Sequence, residues 1–200
     1  MIHELLKSKK LVLASGSPRR RELFSLLGLK PIIEVADIAE PLNEDAPSIQ
    51  AMHHASNKAT VVEKRYNQEH IIVAADTLVA VDTRILGKPS GLEEAKSFLR
   101  LLSANSHSVY TGVCITYRGK RICDYECTEV SFASLNEEEI EAYTHTQEPF
   151  DKAGAYGIQG YGAQFITGVH GCYFNVMGFP VRKFYEMLIK LFGDCDEVIP

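Results

Sequence analysis

The sequence predicts a mixed α/β fold, on three observations. Short apolar runs alternate with helical-period segments through the first half of the chain. A turn of small residues joins the first apolar run to the first helix. A long β-rich stretch with its own turn signal then occupies much of the second half. Together these predict βα units combined with hairpins. At 200 residues the chain is long enough for one sizeable core, and no linker composition divides it, so one domain over 1–200 is expected.

The elements follow in order. "KLVLAS" is a short buried-strand pattern, and "PRRRELFSLLG" a helix with Ser17 as N-cap, Pro18 at the first helical position and Gly28 just past its end. Leu23, Leu26 and Leu27 are expected on its buried face. "KPIIEVA" is a second strand candidate. "APSIQAMHHASNKATVVEKRY" reads as a long helix entered at Pro47, with Ala51, Ala55 and Val62 aligned. "HIIVAADTLVAVDTRILGKP" is strand-rich and contains a hairpin, for which Asp82-Thr83 supplies the turn. "GLEEAKSFLRLLS" keeps the i, i+3, i+4 apolar spacing of an amphipathic helix. "SVYTGVCITYRGKRICDYECTEVSFAS" is β-rich and broken at Arg118-Gly119-Lys120. "NEEEIEAYTHT" is a helix capped by Asn136 with acids in its first turn. A glycine-rich loop region and a closing helix, "PVRKFYEMLIKLFG", complete the chain, with "GDCDEVIP" read as a loosely held acidic tail.

Composition excludes some function classes. The net charge of −5 and pI near 5.8 argue against a general nucleic-acid binder, which needs a basic face. Any basic cluster is therefore aimed at a small anion. No apolar run approaches a membrane span, and "MIHELLKSKK" lacks the apolar stretch of a signal peptide. Five cysteines without a CxxC pair are expected to be free thiols in a reducing cytoplasm. His53-His54 sit side by side on a helix and point apart, so they are read as core or surface histidines. Cys172 near His170 lacks a third metal partner.

Three stretches carry chemistry. In "LVLASGSPRRREL", Ser15, Gly16 and Ser17 permit close backbone approach, the helix start offers free N–H groups, and Arg19 and Arg20 add charge-assisted contacts to an anion. The same segment also fits a capped helix whose arginines face solvent. It is neither a P-loop nor a GxSxG elbow, because the required spacings are absent. "IIVAADT" places Asp76 at the end of a buried strand, where a carboxylate can bind a divalent metal or polarise water. Asp82 repeats the pattern but belongs to a turn. Glu40, Lys58 and Lys88 are unremarkable taken singly. In "EPFDKAGAYGIQGYGAQF", Tyr156, Gln159 and Tyr161 could stack on or hydrogen-bond a planar ligand, although glycine-rich loops are also simply flexible. His107 opens a strand and could donate a hydrogen bond near such a site.

Taken together, "LASGSPRRREL", "AADT", "GKP", "HSVYTGV" and "EPFDKAGAYGIQG", in this order from about residue 10 to residue 192, resemble the Maf family of nucleoside triphosphate pyrophosphatases. "DKAGAYGIQG" resembles the branch acting on dTTP and UTP. Phe179 in "GFP", where leucine is usual, and the loose form of "HHASNKA" are two departures that leave the exact base preference open.

The resemblance implies an elongated α/β fold with a mixed twisted sheet, flanking helices and two lobes around a cleft. It implies hydrolysis between the α and β phosphates, with Asp76 as proton acceptor for the attacking water. Arg19, Thr77 and Gln159 fall on specificity positions, and Ser15, Arg20, Glu40, Lys58 and Lys88 on polar positions lining the cleft. A divalent cation, Mg²⁺ before Mn²⁺ or Co²⁺, is expected between the phosphates and Glu40 and Asp76. The implied partners are the nucleoside triphosphate and a second copy of the chain, with no nucleic acid and no membrane, in the cytoplasm. Two other functions stay open on the same residues: a nucleotide-sensing regulator of septum formation and cell division, in which Asp76 does no chemistry, and a hydrolase for modified nucleotides.

Overall fold

The first apolar run forms β1 (Lys10–Ala14) in the computed structural model, which describes residues 1–43 and 45–193. β1 lies between two parallel neighbours. On one side is the two-residue β2 (Ile32–Ile33), paired Val12 to Ile32 and Leu13 to Ile33. On the other is β3 (His70–Val81), in register from Lys10–His70 to Ala14–Ala74. The β1–β2 connection contains α2 (Pro18–Leu26) and the β2–β3 connection contains α3 (Pro47–Glu63). β4 (Arg84–Leu86) folds back antiparallel on β3 across a turn at Asp82, as the hairpin pattern predicts. β5 (Ser106–Tyr117), β6 (Lys120–Phe132) and β7 (Ile166–His170) extend the sheet to the order β2-β1-β3-β5-β6-β7, with β7 antiparallel to β6. The remaining helices are α1 (Ile2–Leu6), α4 (Leu92–Leu102), α5 (Glu137–Thr144), α6 (Tyr173–Val176) and α7 (Val181–Gly193). The acidic tail beyond Gly193 lies outside the described residues.

Packing divides the chain into two compact units: one of Met1–Asp76, Thr111–Glu126 and the chain from Gly178, the other of Thr77–Tyr110 and Cys127–Met177. Three of the boundaries fall inside β3, β5 and β6. Continuous strands carry no linker signature, which is why composition shows no division.

In the first unit, α3 buries Ala55, Ala59 and Val62 against Val12, Ala14, Ile72, Ala74 and Cys114 of the sheet, and Ala51 is buried on the same helix. The approach is close because β5 offers Gly112: a Cβ there would lie 2.3 Å from the carbonyl carbon of Ala51. α2 behaves differently from expectation. Leu23 and Phe24 are buried, whereas Leu26 is 70% exposed. The reason is a ring cluster, since Phe24 packs 4.9 Å from Phe179 and 5.8 Å from Phe184, rotating the buried face by one residue. The phenylalanine at 179 is thus a core residue filling that cluster. The cysteine expectation also needs correction: Cys114 and Cys123 form a disulfide. Counting back from the two-residue turn at Arg118-Gly119 sets them opposite each other on β5 and β6. Among the described residues Cys127 and Cys172 are free.

In the second unit, α4 and α5 cover a core of Val79, Leu86, Phe98, Leu99, Leu102, Val130, Phe132, Ile140 and Phe165. Asn136 caps α5 in a reciprocal capping box with Glu139. The glycine-rich stretch becomes three short 3₁₀ turns, Glu148–Asp151, Ala153–Ala155 and Tyr161–Phe165.

Candidate active site

The parallel order β2-β1-β3 places a switch point between β1 and β3, the kind of place where α/β sheets bind ligands beyond their carboxyl ends. β1 ends at Ala14, and Ser15 turns the chain immediately, its N–H donating to Leu13 O at 2.9 Å. Ser15 Oγ then accepts from Ser17 N at 3.2 Å and from Arg20 Nη1 at 3.1 Å. Ser17 is the N-cap of α2 and Pro18 its first residue, but the Ser17 side chain makes no capping bond. The Ser15 hydroxyl instead bonds the N–H of that N-cap residue and the Arg20 side chain, tying the turn to the first helical turn.

The three arginines separate. Arg20 turns inward, is buried, and donates from Nε to Gly178 O at 2.7 Å. Burial lowers its pKa, and the negative charge of Asp76 opposes that shift. Arg19 is half-buried, and Arg21 is exposed with Nη2 on Gly16 O at 3.2 Å.

Asp76 is 5% exposed and lies two residues beyond Ala74, the last β3 residue paired with β1. It is therefore inside β3, not at the strand's end as the sequence pattern suggests, because β3 continues into the hairpin with β4. It stands instead just past the point where its β1 neighbour stops, buried beside the switch point. Lys58 Nζ donates to Asp76 Oδ1 at 2.6 Å, and lies 2.6 Å from Glu40 Oε1. His54 Nδ1 lies 3.0 Å from Asp76 Oδ2, and Nε2 lies 3.2 Å from Pro41 O. Burial alone would raise the Asp76 pKa. The His54 hydrogen bond, the charge and hydrogen bond of Lys58 and the charge of Arg20 outweigh it and bring the value down to about 2. His54 is shifted upward by its bond to Asp76 despite partial burial. Both His54 partners are acceptors, which suits a ring carrying two N–H groups.

The structure thus gathers Ser15, Arg20, Glu40, Lys58 and Asp76 into one unit. His54 belongs with them and was read from sequence as an ordinary core or surface histidine. The signal that could have found it is spacing: Gln50, His54 and Lys58 recur every four residues on α3, one polar stripe beside the alanine face. Thr77 follows Asp76 in β3 and is half-buried.

Lys88 and Gln159 belong to the second unit. Lys88 is exposed and follows Gly87, whose carbonyl accepts Gly154 N at 3.1 Å, so the "GKP" turn is bonded to "DKAGAYG". Gln159 is half-buried in a loop tied down by Glu148. That carboxylate accepts from Tyr161 N at 2.9 Å, Gly162 N at 3.1 Å and the Tyr143 hydroxyl at 3.0 Å. Gly160, at φ +87°, passes so near that a Cβ would lie 2.5 Å from Glu148 Oε2. His107 is buried against Tyr156, Nε2 to hydroxyl 2.7 Å, and burial lowers its pKa to about 4.

Among the described residues no group of three His, Cys, Asp or Glu side chains is placed to hold a metal. Glu40 and Asp76 nonetheless turn one oxygen each toward the same ammonium, that of Lys58. Two carboxylates sharing one cation suit Mg²⁺, which binds through one or two carboxylates and completes its shell with water and substrate phosphates. The residues present fit the ion. No helix among the described residues is long and apolar enough to cross a membrane.

A small-residue turn, an inward arginine and a carboxylate held among cations define an α/β domain able to hold a polyanion beside an ionised acid. Residues 10–191 match the family model described as Maf-like protein, and the chain belongs to that family. It is 47% identical over 181 residues to the dTTP/UTP pyrophosphatase of Bacillus cereus, covering 90% of this chain and 89% of that one. The dTTP/UTP pyrophosphatase of Bacillus anthracis is 46% identical, with 90% and 94% covered. The Ham1 protein structure from Staphylococcus aureus aligns with 93% of this chain and 100% of its own at a TM-score of 0.52. At 13% identity that likeness shows the fold alone.

Proposed function

We propose that the chain is a nucleoside triphosphate pyrophosphatase that hydrolyses dTTP and UTP to the monophosphate and pyrophosphate. The observation that carries this is Lys58 lying between the carboxylates of Asp76 and Glu40 at the switch point. The relatives named dTTP/UTP pyrophosphatase, similar over 90% of the chain, support the substrate class.

Transfer at a phosphorus centre depends mainly on positioning and charge stabilisation. Ser15, Arg19, Arg20, Lys58 and Lys88 supply donors and positive charge to the triphosphate chain. Asp76, held ionised by its neighbours, orients the attacking water and accepts its proton. Gln159 reads the uracil or thymine edge, for which an amide offers one donor and one acceptor face; Arg19 and Thr77 complete the specificity set. Glu40 and Asp76 would hold Mg²⁺, which when bound neutralises phosphate charge. Mn²⁺ and Co²⁺ are alternatives for the same oxygen donors. The substrates are intracellular metabolites, so a cytoplasmic location goes with this function. A purely nucleotide-sensing role in division needs no ionised carboxylate among the phosphate-binding cations, and the names of the relatives do not favour it.

The test is incubation of the protein with Mg²⁺ and dTTP, UTP, CTP, GTP, ITP or 7-methyl-GTP, separating phosphate from pyrophosphate. Pyrophosphate from dTTP and UTP, lost in Asp76→Ala, is the expected result. Nucleotide binding without release of pyrophosphate would overturn it.

A further inference from the structure

The polar stripe of α3 has one target. Gln50 donates from Nε2 to Asn43 O at 2.9 Å and Asp45 O at 2.8 Å, and accepts from Asn43 N at 3.1 Å. One turn on, His54 Nε2 meets Pro41 O; another turn on, Lys58 meets Glu40. Residues 34–43 form neither helix nor strand: Glu34 N still donates to Leu13 O of β1 at 3.1 Å, and past that bond the segment runs outside the helical and sheet ladders. Its position near Asp76 is set by side chains of α3.

Within the stripe, His54 and Lys58 each touch both the loop and Asp76, in different ways. Lys58 uses two carboxylates, partners that an incoming cation or phosphate chain competes for. His54 uses a backbone carbonyl at one ring nitrogen and Oδ2 of Asp76 at the other. A planar ring fixes the direction of both bonds, and the side chain is buried at 5% exposure.

We propose that His54 is a positioning residue, its ring tying the Asp76 carboxylate to the loop that carries Glu40 so that the two acids present one fixed arrangement to the substrate. The role rests on the pyrophosphatase reading for its kinetic consequence and on the structure alone for its mechanical one. His54 touches no substrate; it acts through Asp76 and through the Pro41 carbonyl. Gln50 supports the same loop further along but does not reach the acid.

The experiment uses the full chain with His54→Leu, which fills similar volume without a polar atom, and His54→Gln, which keeps a donor and an acceptor. Two quantities are read: kcat and KM for dTTP with Mg²⁺, and deuterium exchange of the peptide covering residues 37–43. Loss of a partner that orients an acting carboxylate typically costs about 10- to 100-fold in activity, so His54→Leu is expected to lower kcat by that factor with KM within about threefold. Exchange in 37–43 should quicken at least about tenfold while α4 is unchanged, and His54→Gln should recover part of both. Folded His54→Leu with kcat within about twofold of the parent would overturn the proposal, whether or not exchange changes. If His54→Leu does not fold, His54→Gln decides on the same two readouts, with reduced kcat and faster exchange supporting the role and parent values overturning it. Failure of the parent chain to release pyrophosphate from either nucleotide would sink the functional reading instead. The exchange of 37–43 would then decide the tie by itself, unchanged exchange overturning it.

Discussion

Lys58 of α3 and Asp76 of β3 form a buried ion pair, Nζ to Oδ1 at 2.6 Å, that joins the helix to the strand. The pair is not self-sufficient, since Lys58 also serves Glu40. Removing the lysine leaves two carboxylates facing a space with no charge from that side chain. Lys58→Met, similar in length, is therefore expected to cost about 3 kcal/mol of stability, the lower end for breaking a buried pair, because His54 still holds Asp76 Oδ2. Asp76→Asn leaves Lys58 with Glu40, so its stability should change less while turnover falls by about 10² or more. Urea midpoints and pyrophosphate release on both variants check this. A Lys58→Met midpoint equal to the parent's would mean that the pair does not hold the site.

Gly112 and Gly16 make a second, contrasting prediction. At Gly112 a methyl group would meet the Ala51 carbonyl at 2.3 Å and the Met52 nitrogen at 2.5 Å, all helix backbone that cannot rotate away. Gly112→Ala must push α3 off the sheet, moving Gln50, His54 and Lys58 with it. Overpacking of this kind costs about 1–3 kcal/mol or more, and here kcat should fall with it. At Gly16 the nearest atom is a Val35 methyl at 3.5 Å, ordinary contact. Gly16→Ala should leave the urea midpoint near the parent's and, where the phosphate chain approaches this turn, raise KM for dTTP. Equal KM in Gly16→Ala would show that the small residue there serves something other than phosphate access.

Glu148 gives a third. Its carboxylate accepts two backbone N–H groups and a tyrosine hydroxyl. Glu148→Ala should lower stability by about 1–2 kcal/mol, since the Tyr161 N–H it leaves is exposed and the Gly162 N–H and Tyr143 hydroxyl are part-buried. Its functional signature is selectivity, because the loop it anchors carries Gln159. The ratio of kcat/KM for UTP over CTP should fall about tenfold while the rate on the poorer substrate is kept. An unchanged ratio in a folded variant would separate Gln159 from base choice.

The parts of this architecture set by local chemistry were legible in the sequence. Pro18, Pro47 and Asn136 open helices where turn and cap preferences place them, and Asp82 turns a hairpin between two apolar runs. β7 and α6 were not legible, since "ITGVH" and "YFNV" are too short for periodicity to speak. Leu26 was misassigned because a helix face is chosen by what packs on it. Phe179 and Phe184, more than 150 positions away, made that choice. The site shows the same limit. Asp76, Glu40 and Lys58 were reachable through the family resemblance, whereas His54 becomes visible only when Pro41 and Asp76 are seen on either side of its ring. The Cys114–Cys123 pair likewise follows from strand register, which no spacing rule for thiols encodes.

The last prediction concerns acid stability and the histidine that resemblance did not single out. His107 is 3% exposed, and burial brings its pKa to about 4 from the ordinary 6.5. Its folded form thus resists the proton that the unfolded chain accepts. Between pH 6.5 and 4 the unfolded state binds more protons, so stability falls as pH falls. The contribution is fully present above pH 6.5, is lost through that window, and levels off below about pH 4. Its full size is about 3 kcal/mol from the pKa difference. His54 has the opposite sign: its raised pKa contributes stability present below the ordinary histidine value and lost as pH rises through the folded one. The two are separated by comparing urea unfolding of the parent and His107→Gln from pH 4 to 7.5. The difference between the curves should slope between pH 4 and 6.5 and flatten above it, with the variant losing less stability toward acid. Parallel curves across the whole range would show that His107 takes up its proton without unfolding pressure, and that its contact with Tyr156 tolerates the charge.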